Sequence, residues 1–223
     1  MNPTPEKTSV MAPFILMLFL YFIVGLFTVI NQQFQVPLKS ALLPHDGNMT
    51  NALVTLLNFS WFLAYPFSEG FATRWVDRLG YRKTSVYSLL IFIVGLGFYE
   101  AAVLLHIYAP SYITIMGNPI FTGFFVFLSG SFVIGMAVTI LQVVTGLYLD
   151  VNPVGKTTPL QRQMIGGTTN SIGMAIGPLV VSYIIFYGIP LHNVQSREFI
   201  WPVICLIAIF FSPNTSQNQN AGN

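Results

Sequence analysis

Charged residues are scarce in this chain of 223 residues: Asp, Glu, Lys and Arg make up 7% of it, against 54% hydrophobic residues. A soluble domain carries about 25% charged residues. Nine basic and seven acidic side chains cannot cover a globule of this size in water. A soluble enzyme, a nucleic-acid binder and a disordered protein are therefore excluded, which leaves an integral membrane protein.

Cysteine is almost absent as well. The single Cys205 allows no internal disulfide and no cysteine-based metal cluster. The three histidines are far apart in the sequence, so we predict no metal site and no cofactor. The chain also carries neither an HExxH nor a GxSxG motif, and we do not expect an enzyme.

Long apolar segments are the dominant feature of what is present. A helix needs about 20 mostly apolar residues to cross a hydrocarbon core of about 30 Å. Six segments qualify or nearly qualify, and no strand-like alternation of the outer-membrane type is visible. The predicted spans are 14–36, 51–72, 85–106, 120–149, 163–189 and 197–211. We therefore predict an all-α fold, an integral membrane six-helix bundle over residues 1–211.

The sixth span is short, and a polar, disorder-like tail follows it over 212–223. Two interpretations stay open. The helix is short or tilted, or the chain stops or changes frame within a helix that was once longer.

Basic residues predict the orientation. With the N-terminus inside, the inner loops hold Lys7, Arg74, Arg78, Arg82, Lys83, Lys156 and Arg162. The outer loops hold only Lys39 and Arg197. This bias follows the positive-inside rule. We expect a multi-pass protein of the cytoplasmic (inner) membrane with its N-terminus inside.

Carboxamide side chains recur inside the apolar segments. They are Asn31, Gln32 and Gln35 in the first span, Gln142 in the fourth and Asn170 in the fifth. Polar side chains in hydrocarbon must face protein or water. Packing between helices is the alternative, and for nearby glycines such as the Gly173–Gly177 pair it is the favoured interpretation. For the amides we favour a wet cavity, because amides suit uncharged, hydroxyl-rich ligands.

Glu100 is an acid near the outer end of the third span. It is a candidate proton site, and the alternative is a side chain that extends to the membrane surface.

A charged motif joins the second and third spans on the predicted inner face. It contains Asp77, Arg78, Gly80, Arg82 and Lys83. The glycine permits a tight turn, and the aspartate can cap a helix or pair with an arginine. A generic basic inner loop is the less specific alternative.

This motif resembles the signature between helices two and three of the major facilitator superfamily. Within that superfamily the chain is similar to the fucose permease group of sugar transporters. The similarity lies in segments 25–39, 135–142 and 162–178. It implies twelve helices in two halves that rock around a midplane site, of which this chain is the N-terminal half. It also implies that the charged motif controls an inner gate and that Asn170 contacts sugar.

Some positions depart from that family's pattern. Gln32 stands where an acid is often found, and Gln142 stands where fucose permease has a glutamate. Gly146-Leu147 replaces the usual Asn-Pro pair, and Gly167 replaces a frequent glutamine. Glutamine cannot take up and release a proton near neutral pH. Proton coupling, sodium coupling and facilitated diffusion therefore all stay open.

The sequence thus predicts a secondary active or facilitative transporter of a neutral sugar. Its expected partners are the sugar, a proton or sodium ion, the lipid bilayer, and a missing C-terminal half or a second copy, but no nucleic acid. The alternative is a truncated, non-transporting remnant or a structural half that needs a partner half.

Overall fold

A computed structural model describes residues 11–33, 48–115 and 118–186 of the chain. Gln35, the predicted sixth span 197–211 and the tail 212–223 lie outside these residues.

Four helices and two short strands make up the described part. They are α1 (Met11–Gln33), α2 (Asn48–Tyr108), β1 (Tyr112–Ile115), β2 (Asn118–Phe121), α3 (Thr122–Val151) and α4 (Pro159–Phe186). The longest helix, α2, is interrupted at Gly80, which has φ 77° and ψ 167°. This break divides α2 into a first arm, 48–79, and a second arm, 81–108.

Three of these helices are long and apolar enough to cross a membrane: α1, α2 and α3. At about 1.5 Å per residue, α1 and α3 each exceed the hydrocarbon thickness of about 30 Å, and the 61 residues of α2 suffice for two crossings. The molecule is therefore a mainly helical protein with the helices of a membrane protein. The fifth predicted span coincides with α4, and its passage through the membrane stays a prediction.

The charged motif differs from the expected loop. Residues on both sides of Gly80 are helical, so the turn is confined to one residue with a backbone that favours glycine. The hydroxyl of Thr84 then donates to the Gly80 carbonyl at 2.9 Å and starts the second arm. The prediction that Gly80 makes the turn is confirmed, but the motif forms two helix ends and not an extended loop.

An antiparallel hairpin of β1 and β2 connects α2 to α3 within a structure that is otherwise helical, as predicted for an all-α membrane protein. Ile113 pairs with Ile120, and Thr114 with Pro119. We predicted that the fourth span begins at 120, yet α3 begins at Thr122. A short apolar run does not distinguish a strand from a helix, and a residue before proline, here Asn118, prefers extended backbone.

Helix α3 packs against both arms of α2, and α1 packs mainly against α4. The core between them is aromatic: the Phe27 and Phe92 rings lie 4.7 Å apart, and Trp61 and Tyr148 are almost fully buried. Since these large side chains are rigid, they hold α1, α2 and α3 in a defined arrangement.

Glycine allows α1 and α4 to approach closely. A Cβ on Gly25 would collide with the Asn170 backbone, and one on Gly173 would collide with the Phe22 carbonyl. The packing interpretation of the fifth-span glycines is confirmed at Gly173. This close approach also brings Asn170 to α1.

Candidate ligand site between the helices

Asn31 is half-buried near the end of α1 and belongs to a network of three helices. The Tyr99 hydroxyl, in the second arm of α2, donates to Asn31 Oδ1 at 2.9 Å. The same hydroxyl lies 2.8 Å from Ser131 Oγ in α3. Because Asn31 uses its oxygen for Tyr99, its orientation is set, and the two N–H groups of its amide face away from this bond.

Asn170 is oriented in the opposite sense. Its Nδ2 donates to the Tyr21 carbonyl of α1 at 3.0 Å. The side-chain oxygen of Asn170 is therefore turned away from this bond and is presented as an acceptor. Along α1, the Gly25 contact with Asn170 lies six residues before Asn31, which is about 9 Å of helix axis.

Tyr21 of α1 lies near both α4 and α3, which places Gln142 close to the stretch of α1 that contacts Asn170. Its ring lies against Gly166 of α4, where a Cβ would come within 2.9 Å of the ring. Its hydroxyl is the atom nearest to a Cβ placed on Gly146, at 3.9 Å, and Gly146 is one turn after Gln142 on α3. Gln142 is half-buried. The structure thus brings Gln142 and Asn170 to one stretch of α1.

The other two predicted amides contribute less. Gln32 is exposed at the last turn of α1, and Gln35 lies outside the described residues. Asn31, Gln142 and Asn170 therefore form the part of the predicted site that can be described, and we call these three residues the amide site.

A small void nearby is not part of the amide site. It encloses about 10 Å³ and is bounded by α1, the second arm of α2 and α3. Its lining is Ile23, Val24, Phe27, Ser88, Leu89, Phe92, Ala137, Val138 and Leu141. A void of this size with an apolar lining stays dry. It is too small and too apolar to bind a polar ligand.

The charged motif is exposed at Asp77, Arg78 and Lys83, and Arg82 is half-buried. The Tyr81 ring meets the Tyr148 ring edge to face, with centroids 5.4 Å apart. Burial raises the pKa of the Tyr81 hydroxyl, and the charges of Asp77 and Asp150 raise it further. The Tyr81 hydroxyl is therefore neutral over the physiological pH range. The contact between the Tyr81 and Tyr148 rings joins the charged motif to the last turns of α3.

Arg162 is the residue whose role the sequence interpretation missed, because it counted only as an inner cation. It is 2% exposed. Its Nε donates to the Leu149 carbonyl at 2.6 Å, one Nη to the Asp150 carbonyl at 2.7 Å, and the other to the Thr157 carbonyl at 2.8 Å. Leu149 and Asp150 belong to the last turn of α3, whose carbonyls have no partner within the helix.

The start of α4 supports this junction. Thr158 and Gln161 form a reciprocal capping pair, with backbone-to-side-chain bonds of 2.9 and 3.3 Å. Gln163 Nε2 donates to the Gly146 carbonyl of α3 at 2.7 Å. A Thr-x-x-Gln spacing before an apolar run is a sequence signal for such a cap.

Glu100 follows Tyr99 in the second arm and is half-buried. It therefore lies next to the residue that orients Asn31. Its role as a proton site stays a prediction. Within the described residues no three His, Cys, Asp or Glu side chains gather as metal ligands would.

No protein-family model matches the chain, and no curated protein or solved structure does either. The resemblance to the fucose permease group therefore stays a prediction that rests on the sequence segments named above.

Proposed function

We propose that the chain is the N-terminal half of a transporter that moves a small neutral sugar across the cytoplasmic membrane by alternating access. The fold supplies apolar helices able to cross a bilayer. The proposed partner is a second half of similar size, either a further segment or a second copy, because alternating access needs two walls around one site. The N-terminus inside remains the proposed orientation.

The observation that carries the proposal is the opposite orientation of two amides. Asn31 is held by its oxygen and Asn170 by its nitrogen. One therefore offers donors and the other an acceptor. A sugar hydroxyl is both a donor and an acceptor, so hydroxyls on opposite sides of a sugar ring match the two amides, about 9 Å apart along α1, without any charge on the ligand. Gln142, which offers both functions, completes the amide site.

Neutral chemistry suits the site for a second reason. The amide site contains no acid or base, so a charged ligand would leave its charge uncompensated in a low-dielectric region. Coupling to a proton or to sodium is left open in the proposal. Glu100 is its candidate proton carrier, and Asp77, Arg78, Gly80, Arg82 and Lys83 are its candidate inner gate.

The proposal is tested by sugar exchange. The chain is reconstituted in liposomes loaded with unlabelled L-fucose, D-galactose or D-glucose, and uptake of the labelled sugar is measured. The same assay is run with a longer protein, in which the chain is extended by the residues that the downstream DNA encodes. We expect counterflow of at least one sugar, and a loss of it in Asn31→Leu or Asn170→Leu.

Gln33→Leu is the matched control, because Gln33 is exposed, lies two residues after Asn31 on the opposite side of α1, and makes none of these contacts. It should exchange sugar as the unchanged protein does. If neither form exchanges or binds any of the sugars, the transporter proposal is wrong and the non-transporting alternative gains.

A further inference from the structure

The second arm of α2 carries an exposed apolar stripe that leads to the hairpin. Its side chains fall on one side of the helix and are not covered by other described parts of the chain. They are Tyr87, Leu90, Val94, Phe98, Leu104 and Tyr108. Acyl chains are as apolar as such a surface, so lipid is the natural neighbour of the stripe. The hairpin therefore begins where a lipid-facing surface ends.

The length of the second arm indicates the level of the hairpin in the bilayer. The arm begins next to the cations Arg82 and Lys83, which mark one membrane surface. At about 1.5 Å per residue, residues 81–108 extend about 42 Å. The hydrocarbon core is about 30 Å thick, and the bilayer with both headgroup zones is about 40–45 Å thick. Tyr108 and the hairpin after it therefore reach the headgroup zone of the opposite surface.

The hairpin is held in place by β2 and exposed along β1. Phe121 of β2 is almost fully buried, and its ring meets the Tyr112 ring of β1 edge to face, with centroids 5.9 Å apart. The Thr122 N–H donates to the Ser111 carbonyl at 2.9 Å. Tyr112 and Ile113 are nevertheless exposed. The strand β1 is therefore an apolar strand in a set position on the outside of the helices.

The backbone of β1 is unsuited to the hydrocarbon core. Within the described residues the sheet consists of β1 and β2 alone, so one edge of β1 has N–H and C=O groups with no strand beside them. Open sheet edges do not occur in the hydrocarbon region of a bilayer, because no water is present there to bond these groups. The hairpin therefore needs surroundings that contain water.

The side chains of the hairpin are equally unsuited to bulk water. Residues 107–122 include no charged side chain and no histidine. Tyr108 is 80% exposed, and Tyr112 and Ile113 are exposed beside it in sequence. Tyrosine is enriched at the level of the headgroups, where its ring meets apolar groups and its hydroxyl meets water. Only this level satisfies both the backbone and the side chains.

We propose that the hairpin of β1 and β2 is a membrane-surface anchor: it lies in the headgroup zone, with Tyr108, Tyr112 and Ile113 inserted between the lipid headgroups. Water in that zone bonds the open edge of β1. The partner is the lipid surface irrespective of its charge, because no Lys or Arg occurs between Lys83 and Lys156 to attract anionic headgroups. The anchor sets the depth of the second arm and of α3, whether or not the chain transports sugar.

Spin labels on the hairpin measure its depth. Cys205→Ser removes the single native cysteine, and Tyr112→Cys or Ile113→Cys then carries the label. The full chain is placed in phosphatidylcholine nanodiscs, and collisions of the label with oxygen, which concentrates in hydrocarbon, are compared with collisions with a water-soluble nickel chelate. We expect both labels within about 5–8 Å of the hydrocarbon edge on its outer side, the thickness of one headgroup zone.

Three further label positions serve as controls. Val94→Cys, on the apolar stripe about 21 Å before Tyr108, should be deep and collide mainly with oxygen. Lys156→Cys, on an exposed cation between α3 and α4, should collide freely with the nickel chelate. Thr114→Cys, exposed on β1, keeps both Tyr112 and Ile113 and should report the same depth as the hairpin labels, even if their own replacement disturbs the strand.

Each outcome decides the inference. If the hairpin labels, that of Thr114→Cys included, collide with the nickel chelate as freely as the Lys156→Cys label, the hairpin lies in water and the inference is wrong. It is also wrong if they are as deep as the Val94→Cys label. Labels that collide with neither reagent would show that protein, such as a second copy, covers the hairpin in place of lipid.

Lipid charge provides the last comparison. The depths should be the same in phosphatidylglycerol nanodiscs, and a hairpin that reaches the headgroup zone only in this anionic lipid would overturn the assigned apolar contact. Sugar exchange is measured separately, so a failure of the proposed function leaves these depths unaffected.

Discussion

Arg162 offers the sharpest test of how the C-terminal end of α3 and the N-terminal end of α4 are held together. Its guanidinium is buried and donates to three backbone carbonyls, those of Leu149, Asp150 and Thr157, at 2.6 to 2.8 Å. The first two are at the negative end of the α3 dipole. One side chain therefore caps one helix while it belongs to the first turn of the next.

The loss in free energy of unfolding that we expect when Arg162 is replaced follows from these hydrogen bonds. A hydrogen bond to a charged group contributes about 1.5–3 kcal/mol. Arg162→Lys keeps the charge but cannot span three carbonyls with one ammonium, so we expect a loss of about 2 kcal/mol. Arg162→Met leaves every one of these carbonyls without its donor. Leaving a buried acceptor unpaired costs about 1–3 kcal/mol, so we expect a loss of about 3–5 kcal/mol for the three carbonyls together.

Thermal unfolding in mild detergent, followed by circular dichroism, measures the effect. For a chain of this length, 1 kcal/mol corresponds to about 2–4 °C in Tm. Arg162→Lys should therefore unfold about 4–8 °C lower, and Arg162→Met about 6–20 °C lower. Lys156→Met is the control, since Lys156 is an exposed cation of the same connection. If Arg162→Lys is as stable as this control, the fork of hydrogen bonds is not what holds the junction.

Three further predictions use the same unfolding assay. Gly173→Ala should lose about 1–3 kcal/mol through overpacking, because its new methyl group meets an α1 carbonyl. Gly167→Ala, which meets nothing within 4 Å, should not lose stability. Gly80→Ala should lose about 1–2 kcal/mol at its positive φ, whereas Gly97→Ala, in helical backbone with open space, should be neutral or stabilising. Tyr99→Phe should lose about 1–2 kcal/mol with its hydroxyl and should also weaken sugar binding, since the amide it orients is then free to rotate. Equal stability of Gly173→Ala and Gly167→Ala would contradict the close contact at Gly173, and equal stability of Gly80→Ala and Gly97→Ala would contradict the strained turn at Gly80. Unchanged sugar binding in Tyr99→Phe would contradict the role of Tyr99 in orienting Asn31.

The candidate site could be predicted from the sequence because polar residues inside apolar helices are conspicuous. Asn31, Gln142 and Asn170 were identified in this way, and the structure places all three on helices that meet at α1. Their orientations could not be predicted. Which atom of an amide stays available depends on a bond across the bundle, as between Asn31 and Tyr99, 68 residues away.

Two other residues show why local patterns were insufficient. Arg162 had the composition signal of a surface cation, yet it is buried against carbonyls whose direction depends on where α3 ends. Trp61 had no signal at all, since an aromatic residue in an apolar run is usual in a membrane helix. Its burial against α3 is visible only when its neighbours are in place.

That this chain has the helices of a membrane protein follows from composition alone. Its few charged residues cannot cover a surface exposed to water, and its long apolar segments match the thickness of a bilayer. The turn at Gly80 follows from the sequence for a similar local reason. The hairpin before α3 and the partners of Asn31, Asn170 and Arg162 do not. Each depends on distances between segments remote in the chain, and those distances are set by how the helices pack.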